Sequence, residues 1–141
     1  MIDPQTGAIS FSETIQVNSG DSINQVTAFN FGEDQLLRDM GTGWKWLTVK
    51  NIVVETNYIL ATFGFYHDAL SQLNLIVSAN RFEQDAGWES WSKTDELNTL
   101  FRLRQWVLAE LGREGTFDWG VIQTSYDPKS GASTIHIQFI T

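Results

Sequence analysis

The sequence predicts an α+β domain: a mainly antiparallel β-sheet with one long amphipathic helix, about residues 93–111, packed on one face as a two-layer sandwich. Three observations carry that reading. Residues 44–79 alternate apolar and polar side chains with the period of strands, 93–111 carry apolar side chains at helical spacing, and 119–139 return to strand alternation around one turn. A helix flanked by strands on both sides has a sheet to cover. No linker, basic tail or low-complexity run divides the 141 residues, so a single domain is expected over 1–141.

The chain opens on Asp3-Pro4-Gln5-Thr6-Gly7-Ala8, a template repeated at Asp127-Pro128-Lys129-Ser130-Gly131-Ala132. Aspartate can bond a turn's own amides, proline presets φ near −65°, and glycine accepts the left-handed conformation. Both copies therefore read as turn chemistry rather than a duplicated unit. The first, with two residues before it, is expected to lead into a strand without closing a hairpin; the second, between alternating runs, is expected to close one.

A strand is expected over 8–17, where Ile9, Phe11, Ile15 and Val17 nearly alternate. Asp21 or Ser22 then caps a short helix carrying Ile23, Val26 and Phe29. The run "EDQLLRDMGTG", 33–43, reads as a second short helix stopped by Gly41 and Gly43. From Trp44 to Ala79 the chain reads as strand, with Trp44 and Trp46 on one face as core or cross-strand partners. Ile59, Ala61, Phe63 and Phe65 share a face, and Leu73, Leu75 and Val77 alternate with Gln72, Asn74 and Ile76. His67-Asp68-Ala69 links these two runs, making 58–78 a hairpin, and Gly64 inside a strand signals a bulge or a close neighbour.

After a polar stretch, Ser92 and Asp95 resemble a capping box for the long helix. Leu97, Leu100, Phe101, Val107, Leu108 and Leu111 fall on helical spacing with Arg104 in the same stripe, Leu103 and Trp106 widen it, and Gly112 is the expected C-cap. In the last hairpin Trp119 and Val121 alternate with Gln123, and Ile135, Ile137 and Phe139 with Thr134, His136 and Gln138.

Composition narrows the function classes. A chain 42% hydrophobic and 13% aromatic, with six Trp and nine Phe, is not disordered. No apolar run nears the roughly 20 residues needed to span a bilayer, and the first residues lack the basic and apolar regions of a signal peptide. With no cysteine there is no disulfide framework, thiolate metal site or thiol nucleophile, and a cytoplasmic location is expected. A net charge of −8 repels nucleic acid and anionic lipid and favours a basic protein partner.

Few residues offer chemistry. His67 lies beside Asp68 in a loop and His136 lies on a polar strand face; a histidine pair of this kind is the basis for reading the chain as a small RNase-like hydrolase. Glu83, Asp85 and Glu89 match no calcium-loop spacing and read as a solvated acidic stretch. Trp88 and Trp91 sit where few aromatics belong, as a sugar-stacking platform, a protein-binding hot spot or a lid over the helix start. Nucleophile elbow, P-loop, dinucleotide fingerprint and H-E-x-x-H are absent from the sequence, and no catalytic residue, metal or cofactor is expected.

The ending carries a resemblance. Trp106, Leu111-Gly112, Phe117, Trp119-Gly120, Ile122, Tyr126-Asp127, Lys129-Ser130-Gly131 and Ile135-x-Ile137-x-Phe139 resemble the ending of a group of small uncharacterised bacterial proteins. Some of that group accompany polymorphic toxin systems, including contact-dependent growth inhibition, as immunity proteins. The resemblance implies a non-enzymatic protein that neutralises a cognate, basic toxin domain by direct binding. Acidic and aromatic residues in polar stretches would serve such binding, which selects Glu83, Asp85, Trp88, Glu89, Trp91, His67 and Asp68 as candidate partner-binding residues. The alternatives are the hydrolase, through His67 and His136, and a carbohydrate-binding module, through Trp88 and Trp91.

Overall fold

The computed structural model describes residues 1–82, 93–127 and 132–140. Among them the chain forms β1 (Ile9–Ser10), β2 (Gln16–Val17), α1 (Ile23–Ala28), β3 (Glu33–Asp39), β4 (Trp44–Val54), β5 (Asn57–Tyr66) and β6 (Ala69–Ser78). Then come α2 (Lys93–Leu111), β7 (Gly115–Phe117), β8 (Gly120–Asp127) and β9 (Ala132–Phe139). The last seven strands join in one antiparallel sheet of order β3-β4-β5-β6-β9-β8-β7, the mainly antiparallel α+β architecture expected from the sequence.

Direct partners in an antiparallel pair share a face, so register identifies the core. One row runs Leu47, Phe63, Leu73, Ile137, Ile122; the next runs Val49, Ala61, Leu75, Ile135, Thr124. All ten side chains are buried. Over β8 and β9, α2 lays Leu103 and Val107 into the same core. Beside the helix the N-terminal segment contributes Ile2, Ile9, Phe11, Val17, Ile23 and Val26. Phe11 meets Phe63 edge-on with ring centroids 6.1 Å apart, and the Met1 ammonium reaches the Glu110 carboxylate of α2 at 3.0 Å. No helix among the described residues is long and apolar enough to cross a membrane.

Several local expectations hold for local reasons. Ser22 Oγ accepts the Gln25 amide at 3.1 Å and Gln25 Oε1 accepts the Ser22 amide at 2.9 Å, a reciprocal box that starts α1. The long helix occupies Lys93–Leu111, and Gly112 ends it at φ +80° with its amide on the Leu108 carbonyl. β5 and β6 form the expected hairpin, tightened to the two residues His67 and Asp68, both left-handed at φ 49° and 65°, as a type I′ turn requires. Gly64 satisfies both readings offered for it: a bulge sits beside it, and a Cβ there would come within 2.6 Å of the Trp46 ring.

Other expectations are corrected. Residues 8–17 are not one strand: β1 and β2 form a small hairpin, because Ser12 Oγ accepts the amides of Thr14 and Ile15 and turns the chain. Residues 33–39 are β3, not a helix. Asp34 takes φ +52°, which no right-handed helix allows, and pairing with β4 supplies hydrogen bonds that so short a helix would hold only marginally. The first Asp-Pro turn does close a minimal hairpin: Ile2 bridges Ile9, and the Gly7 amide donates to the Asp3 carbonyl at 2.8 Å. Of the α2 stripe, Phe101 and Leu108 are exposed while Leu103 and Val107 are buried. On β8 the buried side chains are Ile122 and Thr124, and the buried Trp119 precedes the strand rather than alternating with Val121. β8 and β9 pair through Asp127 opposite Ala132, and residues 128–131 between them lie outside the described residues.

Candidate functional site

The sheet face opposite α2 is defined by the same register. One row runs Arg38, Trp46, Gly64, Gln72, Gln138, Val121; the next runs Leu36, Thr48, Thr62, Asn74, His136, Gln123. Arg38 is the one charged side chain in these two rows, in a chain of net charge −8. Where β4 begins and β5 ends, beside the β5–β6 turn, the rings gather. Trp44 stacks on Trp46 with centroids 5.7 Å apart, and Tyr66 meets Trp44 at 5.1 Å and His67 at 4.2 Å. The two tryptophans lie two residues apart on β4, half-buried on this open face rather than in the core. Across the strand Trp44 faces Tyr66 and Trp46 faces Gly64, and the absence of a Cβ on Gly64 is what lets Trp46 lie flat across β5.

The candidate residues His67 and Asp68 stand at the corner of that aromatic group, both exposed. Asp68 pairs with Lys45 at 2.8 Å, and its carbonyl accepts the Ile23 amide at 3.0 Å, so it ties the turn to β4 and α1. That carboxylate, with a smaller contribution from Asp39, raises the Lys45 pKa. The His67 amide donates to the Gly43 carbonyl at 2.8 Å, joining two loops. Glu83, Asp85, Trp88, Glu89 and Trp91 lie outside the described residues.

The two histidines are not brought together. His136 pairs in register with Asn74 and its Nδ1 meets the Asn74 amide oxygen, whereas His67 sits beyond Ala69, five residues and roughly 17 Å of strand away. Burial pushes the His136 imidazole below its ordinary pKa of 6.5. Between that folded-state value and 6.5 the unfolded chain takes a proton that the folded chain resists, so stability falls as pH drops through this window. From pH 8 to pH 5 the melting temperature of the unsubstituted chain is expected to fall relative to that of His136→Gln; a constant difference would show that the ring does not resist protonation.

Two further features have no counterpart in the sequence-level candidates. A groove of about 710 Å³ opens between the N-terminal hairpin, the β4–β5 end and α2. Its walls include Phe11, Ile59, Val77 and Trp106, with Glu13, Glu55 and Glu110 among the lining residues. The second is the sheet margin at β3, where Leu36, Leu37 and Met40 are 65%, 51% and 48% exposed. The helical reading of 33–43 hides this margin, because Met40 lies four residues after Leu36 and three after Leu37, a spacing that suits a short helix. At the base of β3, Arg81 pairs with Glu33, lowering that carboxyl's pKa, and Asn51 holds the Phe82 backbone through both its amide and its carbonyl. Among the described residues no three His, Asp or Glu side chains are placed to share a metal ion.

Neither family models nor curated proteins give a match to this chain. Among solved structures it is similar to a chain of the complex described as Rhs1-CT in complex with cognate immunity protein RhsI1. The TM-score is 0.54 at 16% identity, over 98% of this chain and 85% of that one. At that identity the likeness is one of fold.

Proposed function

We propose that the chain is a non-enzymatic immunity protein that binds a cognate toxin domain directly and holds it inactive. The observation that carries this reading is the fold match over nearly the whole chain to a chain of a toxin–immunity complex. The resemblance of residues 106–139 to bacterial proteins that accompany toxin systems, contact-dependent growth inhibition among them, points the same way. The chemistry fits the role. Inhibition by binding needs a stable surface and no reacting groups, and the arrangement of His67 and His136 gives the hydrolase reading no acid–base pair. A charge of −8, to which Glu83, Asp85 and Glu89 contribute, would steer a basic toxin domain into encounter and lower its affinity for unrelated acidic proteins. The site of action on this reading is the cytoplasm, where the toxin would meet its target.

The test is co-expression with the toxin domain encoded beside the chain's own gene. Survival of the host and elution of the two proteins as one stoichiometric complex are expected, with an association rate that falls as salt rises. A host killed despite abundant soluble chain, or two proteins that elute apart, would remove the proposal.

A further inference from the structure

We infer that the outer edge of β3 is where the partner docks, by adding one of its own β-strands to the sheet; the inference rests on the function proposed above. Among the described residues β3 stands at the margin of the sheet, paired on one side only. Its hydrogen-bonding direction can be read from the register. The Met40 amide donates to the Trp44 carbonyl at 3.0 Å, in the same register as Arg38 with Trp46 and Leu36 with Thr48. Residues in an antiparallel ladder face the neighbouring strand alternately, so Leu36, Arg38 and Met40 spend their backbone groups on β4. Leu37 and Asp39 therefore turn N–H and C=O outward, away from the sheet.

Such an edge is a template for another strand, and proteins that leave it unused blunt it with charged side chains, lysine above all, with proline, a bulge or a cover. Over Leu36–Met40 β3 carries the charged Arg38 and Asp39 but no lysine, proline or bulge and, among the described residues, no strand on its outer side. There is no lysine or proline between Glu33 and Gly43, the irregularity at Asp34 lies before the regular stretch, and Leu36, Leu37 and Met40 are about half or more exposed. A groove of about 360 Å³ lined by Leu36, Arg38, Met40, Trp46, Thr48 and Thr62 flanks this edge on the open face. Alternate side chains of an added strand would enter it, while Leu37 offers apolar contact on the opposite face. The occupant is thus an extended segment with apolar side chains at alternating positions. A charge of −8 on each copy opposes self-pairing through this edge and favours a neutral or basic strand of another protein.

The experiment uses the full chain and the toxin domain encoded beside its gene. Leu37→Pro removes one outward N–H and leaves the bonds to β4 intact, because proline is tolerated where the amide faces away from the sheet. Affinity is expected to fall by about 30-fold or more, with little change in melting temperature. In the unsubstituted chain, amide exchange at Leu37 and Asp39 is expected to be fast when free and protected in the complex, while Arg38 and Met40 are slow in both; this readout needs no variant to fold. If the unsubstituted chain binds but Leu37→Pro binds equally well, or the two amides stay unprotected, the edge is not the docking site and the proposed function still stands. If the unsubstituted chain does not bind, that function and this inference fall together. If the chain alone sediments as a dimer that Leu37→Pro converts to monomer, the edge serves a second copy and the inference is overturned.

Discussion

Replacing Trp119 by alanine is expected to cost about 3–5 kcal/mol of stability, a drop of roughly 10–15 °C in melting temperature. Trp119 is only 8% exposed, although it sits in the two-residue connection between β7 and β8. Its ring stacks on Phe117 with centroids 5.1 Å apart and tilts against Phe139 at 6.0 Å. Its indole N–H donates to the Pro4 carbonyl at 3.0 Å, and its ring lies so close to Gly7 that a Cβ there would come within 2.5 Å. One side chain thus clamps the first Asp-Pro turn onto the far end of the sheet, across 115 residues of sequence. Trp119→Phe keeps most of the ring and loses the N–H, so it is expected to cost less, about 1–2 kcal/mol. Thermal and urea denaturation of the two variants check the ranking. A loss under about 1 kcal/mol for Trp119→Ala would mean that the N-terminal hairpin does not depend on this clamp.

Phe63→Ala is the second large effect, expected at about 3–5 kcal/mol. Phe63 lies in the central part of β5 with no solvent exposure, paired in register with Leu47 on one side and Leu73 on the other. Above it the rings of Phe11 and Phe31 approach at 6.1 and 5.8 Å, and these two meet each other edge-on at 5.3 Å. Truncating Phe63 therefore opens a cavity where the sheet meets the N-terminal segment, walled by strands that cannot collapse inward. Phe63→Leu keeps much of the volume and is expected to cost less than half as much. A double-mutant cycle with Phe11→Ala should show a coupling of about 0.5–1.5 kcal/mol from the aromatic contact. Additive effects would show that the two rings act independently, and with that the packing described for this corner would fail.

Both residues show what the sequence made legible and what it withheld. Phe63 announces itself, since Ile59, Ala61, Phe63 and Phe65 alternate with less buried neighbours and only one face of a strand can be dry. Trp119 does not. Its place in the alternation suits a strand residue, but its partners are Pro4 and Gly7 of the first turn, Phe117 of β7 and Phe139 of β9. The candidate site divides in the same way. His67 and Asp68 were recognisable as a turn between two strands, yet their contacts with Gly43, Lys45 and Ile23 depend on how that turn meets β4 and α1. Leu36 and Leu37 read as part of a helix because their own neighbours in sequence carry no alternation.

By itself, then, the sequence determined the α+β class, the β4–β6 strands, the last hairpin, the helix α2 with its C-cap at Gly112, and the cap of α1 (Ser92 of the capping box expected for α2 lies outside the described residues). Each of these rests on a period or a pattern completed within a few residues, where side-chain spacing and backbone hydrogen bonding are local. The tertiary structure decided that β9 lies beside β6, that α2 buries Leu103 and Val107 while leaving Phe101 and Leu108 in solvent, and that β3 and β7 are the strands left at the margins. Those choices depend on pairings between residues far apart in the chain, such as Leu73 with Ile137 and Leu37 with Leu47. A strand's neighbours, and so its free edge, belong to the assembled sheet; no window of sequence contains them.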